Sequence, residues 1–170
     1  SRLIGIIVPS FRMPFFADII QSMQDNAPED VNLVFIGSTA DNLQSSIYSL
    51  VERGVQALIF GRPIPNRDVV NAFLKKRHIP YLVLDQNADI NAQDMVQTNE
   101  FTGGSLAASH LLSLGHRDIA LILPNDLTDN MRQRRAGFLD TLSAANVTPI
   151  SVISAALSKH GGLAVVHQLI

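Results

Sequence analysis

Leu3-Ile4-Gly5-Ile6-Ile7-Val8 is a run of six residues without one polar member, closed by Pro9. A strand with one wet face alternates apolar and polar side chains. A run that does not alternate is buried on both faces, and such strands belong to parallel sheets covered by helices on either side. The residues that follow supply the cover. Phe16, Ile19, Ile20 and Met23 recur at i, i+3, i+4 and i+7, one apolar stripe of a helix that Pro28 ends. Val31 to Ile36 reads as a second strand, and Ile47, Leu50 and Val51 stripe a second helix with Gly54 as a left-handed cap. Ala57-Leu58-Ile59-Phe60 is a third strand, Val69, Val70, Phe73 and Leu74 mark a third helix, and Tyr81-Leu82-Val83-Leu84 is a fourth strand. Strand and helix alternating at this spacing predict right-handed crossovers and a parallel α/β sheet.

After Leu84 the rhythm breaks. Residues 85–94 are polar, with two Asn and three Asp, and read as a loop followed by a short apolar piece, Met95-Val96. The alternation then resumes: a helix from Thr102 to Leu114, a strand from Ile119 to Leu123, a helix from Asn130 to Ala145, a strand from Ile150 to Ile153 and a helix from Gly161 onward. Two βα series joined by a crossing segment predict two subdomains, residues 1–98 and 99–170. The second series holds only two strands, too few for a stable sheet covered on both faces. Ile170 is therefore expected to be a boundary within a longer chain.

Composition narrows the function. With 13 Lys plus Arg against 15 Asp plus Glu in 170 residues, the net charge is −2. Gripping a nucleic-acid backbone takes a clustered positive excess, which this segment lacks. The absence of Cys excludes disulfides, thiolate catalysis and Cys-type metal centres. No apolar run approaches the roughly 18 residues of a membrane span. No His-Glu-x-x-His pattern, Gly-x-Ser-x-Gly elbow, Walker loop or dinucleotide fingerprint is present; Pro9-Ser10-Phe11-Arg12 stands where a fingerprint would follow the first strand. No cofactor is called for, and no nucleophile–base–orienter set assembles. Gly103-Gly104 reads as close packing of a helix start against the sheet, with backbone amides offered to an anion as the alternative. His116, after Gly115, reads as a structural residue at a helix C-terminus and not as a catalytic base.

Ligands of open α/β sheets bind beyond the carboxyl ends of the strands. Ser10 to Phe16 follows the first strand and holds Phe11, Phe15, Phe16 and Arg12. Gly61-Arg62-Pro63 follows the third, Asp85-Gln86-Asn87 the fourth, and Pro124 to Arg135 the first strand of the second series. Phe16 is in phase with the apolar stripe and belongs to the core, whereas Phe11 and Phe15 are out of phase and suit a cleft wall. Aromatic faces together with a forked arginine would hold a small polar ring compound. Among Arg132, Arg134 and Arg135, a solvated helix face accounts for all but one.

Pro9 followed by Pro14-Phe15-Phe16, Leu114-Gly115-His116-Arg117-Asp118-Ile119-Ala120, and Arg134-Arg135-Ala136-Gly137-Phe138 occur in an order and spacing that resemble the effector-binding domain of lactose/galactose-repressor (LacI/GalR) transcription regulators. The Gly-His-Arg-x-Ile-Ala stretch is the most specific of these. The resemblance implies a type I periplasmic-binding-protein-like α/β fold: two Rossmann-like subdomains with parallel sheets around a cleft, with the C-terminal part outside this chain. It also implies a homodimer in the cytoplasm, a sugar or nucleobase effector, and operator DNA read by a helix-turn-helix head absent from this chain. Arg134, three residues before Gly137, falls where the family places an effector-holding arginine; Thr128 and Asn130 fall in the same pocket-lining loop, and Phe15 in the wall of the first subdomain. The candidate ligand set is thus Ser10, Phe11, Phe15, Arg62, Asp85, Thr128, Asn130 and Arg134. The chain departs from the family pattern at Gln56-Ala57, at Thr98-Asn99 and at Gln86. A periplasmic sugar-binding protein of a transporter shares the expected architecture, and an enzyme acting on a sugar phosphate through Gly103-Gly104 and the arginine loop is the more distant rival, since no acid–base pair emerges.

Overall fold

In the computed structural model, which describes residues 2–64, 66–84 and 94–169, the opening apolar run is an interior strand of a sheet. Strand β1 (Arg2–Val8) pairs in parallel with β2 (Val31–Gly37) on one side and β3 (Ala57–Phe60) on the other. Beyond β3 lie β4 (Tyr81–Leu84) and β5 (Asp94–Val96), completing an all-parallel order β2-β1-β3-β4-β5. Three helices connect the strands: α1 (Pro14–Asn26), α2 (Leu43–Glu52) and α3 (Arg67–Lys76).

Burial on both faces of β1 is what its sequence requires. Ile7 enters a core formed by Leu43, Ile47 and Leu50 of α2, Val70 and Leu74 of α3, and Leu58, Phe60 and Val83 of the neighbouring strands. Ile6 and Val8 point the other way, onto Phe16 of α1, with Ile19, Ile20 and Met23 around them. Gly5 is held small by packing: a Cβ there would stand 2.8 Å from side-chain atoms of both Leu50 and Leu58. Helix α1 begins at Pro14, whose missing amide costs nothing in a first turn. Helix α2 ends as expected at Gly54, where φ is +81° and the amide of Val55 returns to the carbonyl of Leu50.

The apolar pair Met95-Val96 is more than a connector. With Asp94 it forms the edge strand β5, Met95 standing opposite Val83. All three residues are exposed, so the pattern that betrays a buried strand is missing.

Contacts divide the chain into two compact units, Ser1–Gln97 and Thr98–Ile170. The second contains α4 (Glu100–Ser113), β6 (Ala120–Pro124), α5 (Asp129–Ala144), β7 (Ser151–Ala155) and α6 (Lys159–Leu169), with β6 and β7 parallel. Ala108, Ile119, Phe138, Leu142 and Val147 form its core. Helix α4 starts two residues before the expected Thr102, because Asn99 caps it: its side-chain oxygen accepts the Thr102 amide at 3.0 Å. Helix α6 likewise starts at Lys159, two residues before Gly161.

Gly103 and Gly104 consequently lie inside α4, and the close packing expected of the pair is found at Gly104 alone, with a different partner, since nothing lies within 4 Å of a Cβ on Gly103. A Cβ on Gly104 would fall 1.9 Å from the carbonyl oxygen of Arg134, and a Cβ on Gly137 would fall 1.9 Å from that of Phe101. Two helix backbones thus touch through reciprocal glycines, with the Ser105 hydroxyl donating to the Gly137 carbonyl at 3.2 Å. The surface met is helix α5, not the sheet. At the other end of α4, Gly115 (φ +86°) allows its own amide to reach Leu112 O and that of His116 to reach Leu111 O. Arg117 adds bonds to the carbonyls of Leu112 and His116. The Leu-Gly-His-Arg stretch is therefore a helix-closing device, which agrees with the structural reading of His116.

Candidate functional site

In the first unit the carboxyl ends of the strands gather four groups. The loop after β1 is turned by Ser10, whose hydroxyl accepts the Arg12 amide at 3.1 Å. Phe11 emerges from it half exposed, its ring lying against Gly37 at the end of β2, where a Cβ would come within 3.1 Å of the ring edge. Phe15 is 45% exposed while its neighbour Phe16 is 5% exposed, and the two rings meet edge to face at 5.1 Å. The phase argument therefore separates them correctly. Gly61, after β3, lies over Phe16: a Cβ there would be 2.7 Å from the ring.

Arg62 reaches from the end of β3 to the end of β2, spanning β1, and donates through Nη1 to the carbonyl of Ser38. Its Nε is buried and has no partner among the described residues. Burial lowers the guanidinium pKa from its ordinary value, an effect that Asp41 opposes. Ser38 is itself buried and belongs to a small polar network. Its hydroxyl donates to Oδ1 of Asn42 at 2.8 Å, and the same oxygen accepts the amide and hydroxyl of Thr39 at 2.7 and 3.0 Å. This Ser-Thr-x-x-Asn turn after β2 was not among the segments singled out from sequence, although it too follows a strand's carboxyl end. Asp85 lies outside the described residues.

The hollow of about 500 Å³ lined by Asn71, Lys75, His78 and Tyr81 touches none of these groups. It sits at the amino end of β4, opposite the edge where such sheets place ligands.

In the second unit the candidates cluster on the first turns of α5. Thr128 is its N-cap, its hydroxyl oxygen 3.4 Å from the Met131 amide, and Asn130 follows in the first turn. Arg132 is paired with Asp129 at 2.6 Å on an exposed face, as a solvated helix surface would have it. Arg134 differs. Its Nε and Nη2 lie 2.6 and 2.5 Å from Oε2 of Glu100 in the first turn of α4, and the Thr98 hydroxyl donates to the other oxygen, Oε1, at 2.6 Å. The Glu100 side chain is only 9% exposed, whereas that of Arg134 is 60% exposed. A desolvated carboxylate thus fixes one edge of a guanidinium whose other edge faces water. The Gly104–Arg134 backbone contact holds the two helices close enough for this. Glu100 escaped the sequence reading because its partner lies 34 positions away on another helix.

Among the described residues, no three His, Asp or Glu side chains gather as metal ligands, and no helix is long and apolar enough to cross a membrane.

With this geometry in hand, the comparisons with known proteins are specific. Residues 1–162 match the family model described as periplasmic binding proteins and sugar binding domain of LacI family. The chain belongs to that family. It is 28% identical over 156 residues to the HTH-type transcriptional repressor PurR of Edwardsiella ictaluri, covering 88% of this chain and 45% of the repressor. A LacI family transcriptional regulator from Enterococcus faecium, solved with bound ribose, superposes with a TM-score of 0.86 at 30% identity, covering 99% of this chain and 63% of that one. A periplasmic solute-binding protein of an ABC transporter from Actinobacillus succinogenes, with bound D-allose, also reaches a TM-score of 0.86, but at 18% identity over 99% of this chain and 65% of that one. That last likeness is one of fold. The chain spans about half the length of the curated repressors it matches.

Proposed function

We propose that this chain is the effector-sensing part of a LacI/GalR-type transcription regulator, taking a small sugar-like or nucleobase-like ligand at the carboxyl edges of its sheets. The observation that carries the reading is Arg134: a forked donor at the start of a helix after a strand's carboxyl end, anchored on a buried carboxylate, with its free edge toward solvent. Phe11 and Phe15 offer the apolar faces on which a ring stacks, and Ser10, Arg62, Asp85, Thr128 and Asn130 complete the polar set. Operator DNA is read by a helix-turn-helix head outside this chain, in a cytoplasmic homodimer. The protein binds its ligand and does not transform it. Sequence identity to regulators of 28–30%, against 18% to the solute-binding protein of equal structural likeness, supports the regulator over the transporter component.

The mechanism is linkage. A ligand shifts a conformational equilibrium only by its differential affinity for the two states, and couplings of about 1–3 kcal/mol between effector and DNA sites are usual. In a dimer such a shift changes the separation of the two reading heads, on which half-site matching depends.

Arg134→Ala tests the site. Loss of a bidentate charged donor is expected to weaken effector binding by about 100-fold or more. The variant also leaves Glu100 without its cation, so some loss of stability accompanies it, limited by the solvent exposure of Arg134. A thermal-shift screen of neutral sugars and nucleobases on wild type and variant reads both quantities. A ligand that stabilises both proteins equally refutes the assignment.

A further inference from the structure

Glu100 does more than support a helix end. Its carboxylate is nearly buried, and both oxygens are engaged, Oε1 by the Thr98 hydroxyl and Oε2 by two nitrogens of Arg134. Two consequences follow for whatever meets Arg134. First, Nε and Nη2 are turned toward Glu100, so the edge left for a ligand is the terminal one carrying Nη1, for which no partner is seen among the described residues. Second, the positive charge is already matched by a desolvated negative one.

An anionic group arriving at Arg134 would bring a second anion to one cation, next to a carboxylate that cannot retreat into water; like charges in such surroundings disfavour each other. The positions that ordinarily welcome anions are also taken. The first turn of α4 holds Glu100, and the first turn of α5 holds Asp129, itself paired with Arg132. Hydroxyl or carbonyl oxygens, by contrast, accept from the terminal edge without upsetting the balance.

We propose that Glu100 is a specificity-determining residue, setting Arg134 to receive an uncharged hydroxyl- or carbonyl-bearing ligand and to reject phosphorylated or carboxylated analogues. This rests on the reading of Arg134 as a ligand contact. Selectivity of this kind is a difference of two affinities, obtained as much by penalising the wrong ligand as by fitting the right one.

The test uses the complete protein and its Glu100→Gln variant, with D-ribose and D-ribose 5-phosphate as calorimetric probes, since a 30%-identical relative holds ribose. Wild type is expected to bind the neutral sugar at least tenfold more tightly than the ester, and Glu100→Gln to narrow or reverse that ratio by at least tenfold. A purely structural role would weaken both probes by the same factor, and that result overturns the proposal. In parallel, the ¹⁵N-resolved Nε–H of Arg134 is expected to exchange slowly in the ligand-free wild type and quickly in the variant. Unchanged exchange also overturns the proposal. If wild type binds neither probe while the Nε–H behaves as expected, what fails is the reading of Arg134 as a sugar contact, and the selectivity built on it fails too; the hold of Glu100 on Arg134 stands.

Discussion

Gly104→Ala is expected to destabilise the second unit by about 2 kcal/mol, although alanine is the better helix former. The added Cβ would sit 1.9 Å from the Arg134 carbonyl oxygen and 2.9 Å from the Phe138 nitrogen, both backbone atoms that no rotamer change can move. Helix α5 has to shift, and overpacking of this kind costs about 1–3 kcal/mol or more, offset by the roughly 1 kcal/mol of helix propensity that alanine gains over glycine. Gly103 is the internal control: nothing lies within 4 Å of a Cβ there, so Gly103→Ala is expected to stabilise by about 0.5–1 kcal/mol. Urea denaturation of the two variants measures the contrast directly. Because the clashing atom belongs to Arg134, the same shift pulls its guanidinium from Glu100, and ligand affinity is expected to fall with stability in Gly104→Ala alone. Equal behaviour of the two variants would mean that the helices do not cross where described.

The second large effect separates two adjacent phenylalanines. Phe16 is packed under Gly61 and beside Val8, so Phe16→Ala is expected to cost about 3–5 kcal/mol, the usual range for a buried ring. Phe15→Ala removes a half-exposed ring and one edge-to-face contact, with an expected cost of about 1 kcal/mol. Its larger effect falls on the ligand, with affinity dropping about tenfold, or about 1.4 kcal/mol, as a stacking surface is lost. Melting curves with and without the effector distinguish the outcomes. Collapse of stability in Phe15→Ala would place that ring in the core and remove it from the candidate site.

The contrast between Phe15 and Phe16 was legible in the sequence because helical phase alone decides which ring turns inward. The same holds for β1, where a run without polar residues leaves no alternative to burial on both faces. Edge strand β5 was not legible: three exposed residues carry no burial pattern, and only their pairing with β4 reveals them. Gly103-Gly104 announced close packing, but sequence cannot say which of the two is approached or by what, since the contact falls on Gly104 alone and is made with a helix some thirty residues further on. Arg134 was found through the motif around Gly137; Glu100, which gives that arginine its orientation, belongs to no local pattern. Ser38 and Asn42 were missed for a simpler reason. The turn after β2 has neither aromatic nor cation to draw notice, and its importance emerges only when Arg62 reaches across to the Ser38 carbonyl.

The most direct test of a sensing role is whether ligand and DNA affinities are coupled in the complete protein. Duplexes that the protein selects from a random pool would supply the DNA, and fluorescence anisotropy its affinity, with and without saturating effector identified by thermal shift. The expected result is a change of about 5- to 150-fold in DNA affinity on adding effector, absent in Arg134→Ala. Unaltered DNA affinity at full ligand occupancy would contradict the account.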